Sequence, residues 1–269
     1  MIERTRIMGV VNVTPDSFSD GGHFFSLESA VAHALRLVKE GADLLDLGAE
    51  SSRPGASPIA ASEEFGRLRP ILEALAGRIP IPISVDTTKP EIADAALRLG
   101  ASMINDITGG ADPGMLEVVS RHGASLVIMH MRANPRTMQD DTAYQDVVAE
   151  VSQFLQGQVE AARRAGIRDI VIDPGIGFGK DSMQNLELLR RLGEFRKLGC
   201  PILVGPSRKA FLGKITGCRE AAARLPESIG AVCAAAMSGA NYVRVHDVAE
   251  CRRALAIVDA IRGVSWTAS

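Results

Sequence analysis

The 269-residue sequence predicts an α/β fold, a single closed (β/α)8 barrel of the TIM type, and three observations predict it. Short, wholly apolar runs alternate with longer helical patterns along the whole chain. A glycine closes the helical patterns just before the next run, in "EGAD", "RLGAS", "RHGAS", "RAGIRD", "KLGCP" and "MSGANY". All eight runs end in polar or charged residues, whereas they begin among Ala, Gly, Pro and an occasional Asp. A doubly wound open sheet is the competing fold. It seldom repeats so regular a unit eight times, and no G-x-G-x-x-G follows the first run.

The elements follow in order. Apolar runs at 7–13, 44–47, 81–85, 103–104, 126–129, 170–172, 202–204 and 242–245 have the composition of strands buried on both faces of a parallel sheet. Helical patterns lie between them at 27–40, 62–76, 90–99, 113–121, 144–165, 186–198, 226–238 and 248–261. Pro90 and Pro113 stand just inside helix starts. Glycines 41, 77, 100, 123, 166, 199, 239 and 263 stand at or just beyond helix ends, where a left-handed cap is needed.

Composition sets the outer limits. Hydrophobic residues make up 46% of the chain, enough for a sizeable core, and no linker or low-complexity stretch divides it, so residues 1–269 read as one domain. Thirty basic against 32 acidic residues leave a net charge of −2, which offers no bulk attraction to nucleic acid or an anionic membrane. No apolar stretch reaches membrane-spanning length, and "MIERTRIMGVVNV" lacks the features of a signal peptide, so a cytoplasmic location is expected. Cys200, Cys218, Cys233 and Cys251 are scattered and read as small core residues or free thiols. The five histidines show no metal-ligand spacing.

In such barrels the site lies at the C-terminal strand ends. Here those ends read "NVTPDSFSDGG", "AESSRPGA", "VDTTKP", "NDITGG", "MHMR", "DPGIGFGK", "GPSRKAFLG" and "RVHDV". Asp86, Asn105 and Asp173 stand on three different strands, and the cations Arg53, Lys209 and Arg244 on others, with His246 beside the last. A carboxylate can take two parallel N–H bonds from a guanidine-like edge, and rim cations suit an anion. The residues thus point to a small molecule with a polar ring and an acidic arm.

These eight motifs, in this order, resemble dihydropteroate synthase of the folate pathway over nearly the whole chain. The resemblance implies a transferase that condenses 6-hydroxymethyl-7,8-dihydropterin pyrophosphate with p-aminobenzoate, uses Mg2+ and forms homodimers. It implies pterin contacts from Asp86, Asn105, Asp173 and Lys209, with Ile107, Met129 and Phe178 packed against the ring. Asn12 would touch the metal and pyrophosphate, and Ser52, Arg53, Arg244 and His246 would bind the pyrophosphate. Phe18, Pro54, Phe178, Ser207 and Lys209 would form the p-aminobenzoate pocket. Asp86, Asp173, Lys209, Arg244 and His246 form the expected catalytic set. The expected chemistry is a dissociative substitution with no covalent enzyme intermediate.

Plainer readings stand beside these. Asp106 reads as a cap or structural group, and His130 and His23 as structural or loop groups; Arg208 and Lys209 are adjacent, so at most one need point inward, and "SRK" alone would read as surface charge. The "GIGFG" run lacks the spacing of a nucleotide loop, so its glycines suit mobility and close approach to a ring. Ser52 stands where the family commonly has threonine, and Ala210 where serine is frequent. Phe24 and Phe25, beside the first loop, give the expectation of reduced sulfonamide sensitivity. A pterin-dependent methyltransferase and a non-catalytic paralogue are rivals on the same barrel. A nucleic-acid or partner-binding barrel is the rival of a different class.

Overall fold

Side chains alternate along a strand, so every second residue of a barrel strand points inward. The computed structural model describes residues 3–14, 27–53 and 55–265, and all its strands are parallel. They are β1 (Arg6–Asn12), β2 (Leu44–Gly48), β3 (Ile83–Asp86), β4 (Met103–Asp106), β5 (Ser125–Met129), β6 (Ile170–Asp173), β7 (Leu203–Val204) and β8 (Tyr242–Val245). Their order is β6-β5-β4-β3-β2-β1-β8-β7. A single parallel bridge, Ile172 to Ile202, brings β6 to β7 and nearly closes the barrel. Ile172 N–H donates to Pro201 O at 2.9 Å there, and the Asn241 side chain takes the N–H of Ile202 at 2.9 Å.

The inward rows form two layers of different character. Met8, Leu44, Met103, Val127, Val171 and Leu203 make an apolar plug with Tyr242 at the lower end. Above it the same inward rows carry Asp46, Asp86, Asn105, Asp173 and Arg244. The register fixes their heights: Gly48 pairs with Asp86 and Asp86 with Asn105, whereas Asp46 pairs with Ser84, one inward step deeper.

Helices cover the outside: α1 (Leu27–Lys39), α2 (Ala61–Leu75), α3 (Pro90–Arg98), α4 (Pro113–His122), α5 (Val147–Arg164), α6 (Ser182–Arg190), α7 (Ala210–Thr216), α8 (Leu225–Met237) and α9 (Val248–Ile261). Their buried faces and the outward strand residues form one large cluster, including Leu37, Leu68, Leu72, Val151, Leu155, Phe195 and Leu255. All eight glycines expected at helix ends have positive φ, from 61° to 104°. There an L side chain would be strained.

Three elements differ from expectation. The helix expected over 186–198 is split. A capping box between Asp181 and Gln184 starts α6 at Ser182, and a 3-10 turn over Leu192–Leu198 replaces its second half. The helix expected from 144 begins at Val147, because the Asp146 side chain accepts from the N–H groups of Val148 and Ala149. Helix α7 forms inside what reads as a loop after β7; its seven residues are too few to show a period. Among the described residues no helix is long and apolar enough to cross a membrane.

Candidate active site

The strand ends bring Asp86, Asn105, Asp173, Lys209 and Arg244 to one mouth. Arg244, inward on β8, donates from Nε to Asp46 Oδ2 at 2.6 Å and from Nη2 to Asp86 Oδ2 at 3.0 Å. Burial opposes its charge, but the carboxylates of Asp46 and Asp86 outweigh this and raise its pKa. Two close neighbours leave room: a Cβ on Gly48 would sit 3.4 Å from Asp86 Cβ, and one on Gly205 3.6 Å from Arg244 Cβ.

Burial pushes the Asp86 carboxyl up to about 7; Arg244 pulls it down, while Asp46 adds repulsion. Burial likewise raises Asp173 to about 6, against a 2.7 Å hydrogen bond from Gly175 N–H to Asp173 Oδ1 and the pull of Lys209. Lys209 is lowered by burial, and further by Arg244, to about 8. These groups are held in a low-dielectric pocket with their titrations moved toward neutrality, as in many active sites.

Asp86 caps no helix. Helix α3 starts after Lys89, and the turn before it is closed by Thr87 Oγ1, which accepts from Lys89 N–H at 3.3 Å. Asp106 is the structural group. Its oxygens accept from Thr108 N–H and Oγ1 and from Gly110 N–H, at 2.7–2.9 Å. Of the adjacent cations, Arg208 turns outward to Asp247 at 2.5 and 3.1 Å. Lys209 turns inward and sets its Nζ 3.9 Å from the centroid of the Phe178 ring.

Phe178, Met129 and Ile107 form an apolar cluster with Met131 and Met138, set apart from the barrel core. This slot suits the face of a flat ring beside the polar mouth. His246 is half-buried, and this burial, with help from Arg244, lowers its pKa to about 3. Its Nδ1 lies 3.0 Å from Ser207 Oγ, and its backbone N–H donates to the same oxygen at 3.3 Å. The Ser207 hydroxyl is thus engaged with His246.

Asn12 ends β1 opposite Gly48, and Ser52 is half-buried. Arg53 is exposed, with no ion pair among the described residues. Their loop is tied down: Glu50 accepts from Ile59 N–H at 3.3 Å and pairs with Lys89, which also meets the buried Glu64. Gly55 N–H donates to Pro135 O at 3.1 Å. Phe18, Pro54, Phe24, Phe25 and His23 lie outside the described residues.

The glycine run after β6 allows close approach. A Cβ on Gly175 would fall 1.9 Å from His130 O, and one on Gly177 2.8 Å from Lys209 Cδ. Lys180 ends the run, 3% exposed, and its ammonium donates to Phe178 O at 2.8 Å and Gly175 O at 3.1 Å and meets His130 Nδ1 at 3.0 Å. Burial lowers Lys180 to about 7 and His130 to about 3. His130 is the structural group expected.

Sequence reasoning passed over Asp46, Met131, Met138 and Lys180. For Asp46 a signal existed: in "LLDLG" it shares the inward row of Leu44 and Gly48. Met138 lies in a segment with no period to place it.

Known proteins share this fold. The profile of the pterin binding enzyme family matches residues 8–246. A dihydropteroate synthase from Synechocystis is 46% identical over 96% of this chain and 91% of its own length. The structure of Xanthomonas albilineans dihydropteroate synthase with 4-aminobenzoic acid superposes with a TM-score of 0.92 at 46% identity, covering 98% of this chain and 95% of that one. The same organism's enzyme in complex with 7,8-dihydropteroate gives a TM-score of 0.88 at 44% identity, with the same coverage.

Proposed function

The chain belongs to the pterin binding enzymes and, among them, to the dihydropteroate synthases, and we propose that it condenses 6-hydroxymethyl-7,8-dihydropterin pyrophosphate with p-aminobenzoate to give 7,8-dihydropteroate and pyrophosphate. The observation that carries this reading is the mouth formed by the half-buried Asp86 and the buried Asn105 and Asp173 beside the apolar slot of Ile107, Met129 and Phe178. The ligands that two solved relatives carry support it.

On this reading the carboxylates of Asp86 and Asp173, with Asn105, take the N–H groups of the pterin edge. Lys209 reaches the ring's carbonyl edge from above Phe178. As the C–O bond to pyrophosphate breaks, positive charge spreads into the electron-rich pterin, and the two carboxylates stabilise it. Arg53, Ser52 and His246 meet the pyrophosphate. Arg244, with Nε and one Nη2 N–H held by Asp46 and Asp86, has its remaining N–H groups for the same anion. The arylamine attacks the pterin methylene and loses a proton to solvent, so no enzyme nucleophile is needed. Phe178, Ser207 and Lys209 are the described residues of its pocket, which the family resemblance would complete with Phe18 and Pro54.

No group of three or more His, Cys, Asp or Glu among the described residues could hold a metal by itself. Mg2+ nevertheless fits, because it favours a few protein oxygens together with substrate phosphates, and the Asn12 amide oxygen supplies one at the strand end. The ion supplies charge to stabilise the leaving pyrophosphate. A homodimer belongs to the same reading. Exposed Met183 and Leu186 on α6, Ile215 on α7 and Met237 on α8 lie on helices that pack on one another.

A turnover assay with Mg2+, both substrates and a sulfonamide series tests the reading. Dihydropteroate should form, stop on chelation of Mg2+, and show a normal secondary deuterium isotope effect at the pterin methylene. No product would refute the assignment, and an isotope effect near unity would refute the dissociative path alone. Inhibition at the concentrations that stop sensitive synthases would remove the reduced sensitivity expected from Phe24 and Phe25.

A further inference from the structure

Asp46 is fully buried in β2, one inward step below Asp86 and Asn105. Its Oδ2 accepts from Asn105 Nδ2 at 3.0 Å and from Arg244 Nε at 2.6 Å. Its Oδ1 and the Oγ of its cross-strand neighbour Ser84 have no hydrogen-bond partner among the described residues. A buried carboxylate with a free oxygen costs stability, so its presence asks for a use.

The use follows from the chemistry of an amide. Asn105 could present either its carbonyl oxygen or its NH2 group to the mouth, and nothing in its strand position decides which. A carboxylate carries acceptors only, so Asn105 can meet Asp46 only through NH2. Because Asp46 lies deeper, the NH2 group is drawn downward and Oδ1 is left toward the mouth. We propose that Asp46 is a positioning and specificity residue: it fixes the amide of Asn105 so that its oxygen joins Asp86 and Asp173 in accepting from an N–H-rich edge. The same carboxylate holds Arg244 against Asp86. This rests on the reading that Asn105 faces the pterin ring.

Binding of 6-hydroxymethylpterin, which has no pyrophosphate and so leaves Arg244's anion contacts unused, isolates the effect. Calorimetry would compare wild type, Asp46→Asn, Asn105→Ala and the double variant, with melting curves to check folding. The isostere lets Asn105 turn over, and each single variant should weaken binding about tenfold, the scale of one lost hydrogen bond. In the double variant the losses should not multiply: Asp46→Asn should add less than about twofold to Asn105→Ala. The exchange Asp46→Asn with Asn105→Asp restores a donor below and an acceptor above, and should bind better than Asn105→Asp alone. That pair also decides the matter if Asp46→Asn does not fold.

Wild-type affinity in Asp46→Asn overturns the inference, as does an equal loss with and without the Asn105 amide, or no rescue by the exchange. Wild-type affinity in Asn105→Ala overturns the reading of the site itself, and this inference with it.

Discussion

Burial carries Asp173 from an ordinary 3.8 to about 6 and Asp86 to about 7, while Lys209 falls to about 8. The proposed pterin contacts need both carboxyls ionised and the lysine charged. The pH profile of kcat/KM should therefore be a bell, with its acid limb between about 6 and 7 and its alkaline limb near 8. A flat profile across that span would contradict the assignment. The same shifts act on stability. A carboxyl whose pKa is higher in the folded state binds more protons there than when unfolded, so its contribution is full below its ordinary pKa and is lost as pH rises through the folded value. For Asp173 that window runs from 3.8 to about 6, a loss on the order of 3 kcal/mol. Asp173→Asn should therefore abolish turnover yet melt higher than wild type at pH 8, with the gain gone near pH 4. An equal or lower melting temperature at pH 8 would mean that burial does not strain this group.

Among the elements, the segment from Asp173 to Lys180 does most to shape the mouth. It places Asp173, the Phe178 ring and the Lys209 seat within eight residues, and the buried Lys180 ammonium holds its turns by two of its own carbonyls. Lys180→Met leaves the buried carbonyls of Gly175 and Phe178 without that donor, a cost of about 1–3 kcal/mol that relief from burying the amine opposes only in part. It should lower the denaturation midpoint and, by loosening Phe178, raise KM for both substrates. Gly175→Ala should be worse, since its Cβ would meet a carbonyl at 1.9 Å in a backbone with φ of 72°. Chemical denaturation and steady-state kinetics check both. The sequence announced this segment through its glycines and its place after a strand, but left Lys180 unread. A lysine at a loop end looks like surface charge until the fold wraps carbonyls around it. Helix α7 and the break at Leu192 were hidden for a different reason. Short helices carry no period, and the capping box that shifts α6 forward competes with an apolar pattern that continues beyond it.

For the whole molecule, the eightfold repeat made the barrel readable before any contact was known. Strand ends could then be sorted from strand starts by polarity alone, which is why Asp86, Asn105, Asp173, Lys209 and Arg244 could be placed at one mouth from their positions. What the sequence concealed was pairing across strands. Ser207 holds His246, and Asp46 holds both Asn105 and Arg244, because residues distant in the chain meet at one height in the barrel. Phe18 and Pro54, outside the described residues, are known only as sequence positions. Assembly is tested at this scale too. If α6, α7 and α8 form the dimer face, sedimentation should give a dimer for the wild type and a monomer for Met237→Lys with Ile215→Lys. A monomeric wild type would remove that part of the reading.

The central claim is that the mouth of Asp86, Asn105 and Asp173 is a pterin site. A crystal structure with bound 6-hydroxymethyl-7,8-dihydropterin pyrophosphate tests it most directly. The account predicts the ring beside Met129 and Phe178, with its N–H edge on the two carboxylates and the Asn105 oxygen, and the pyrophosphate toward Arg53 and His246. A ring seated elsewhere, or one turned so that its acceptors face Asp86 and Asp173, would contradict it.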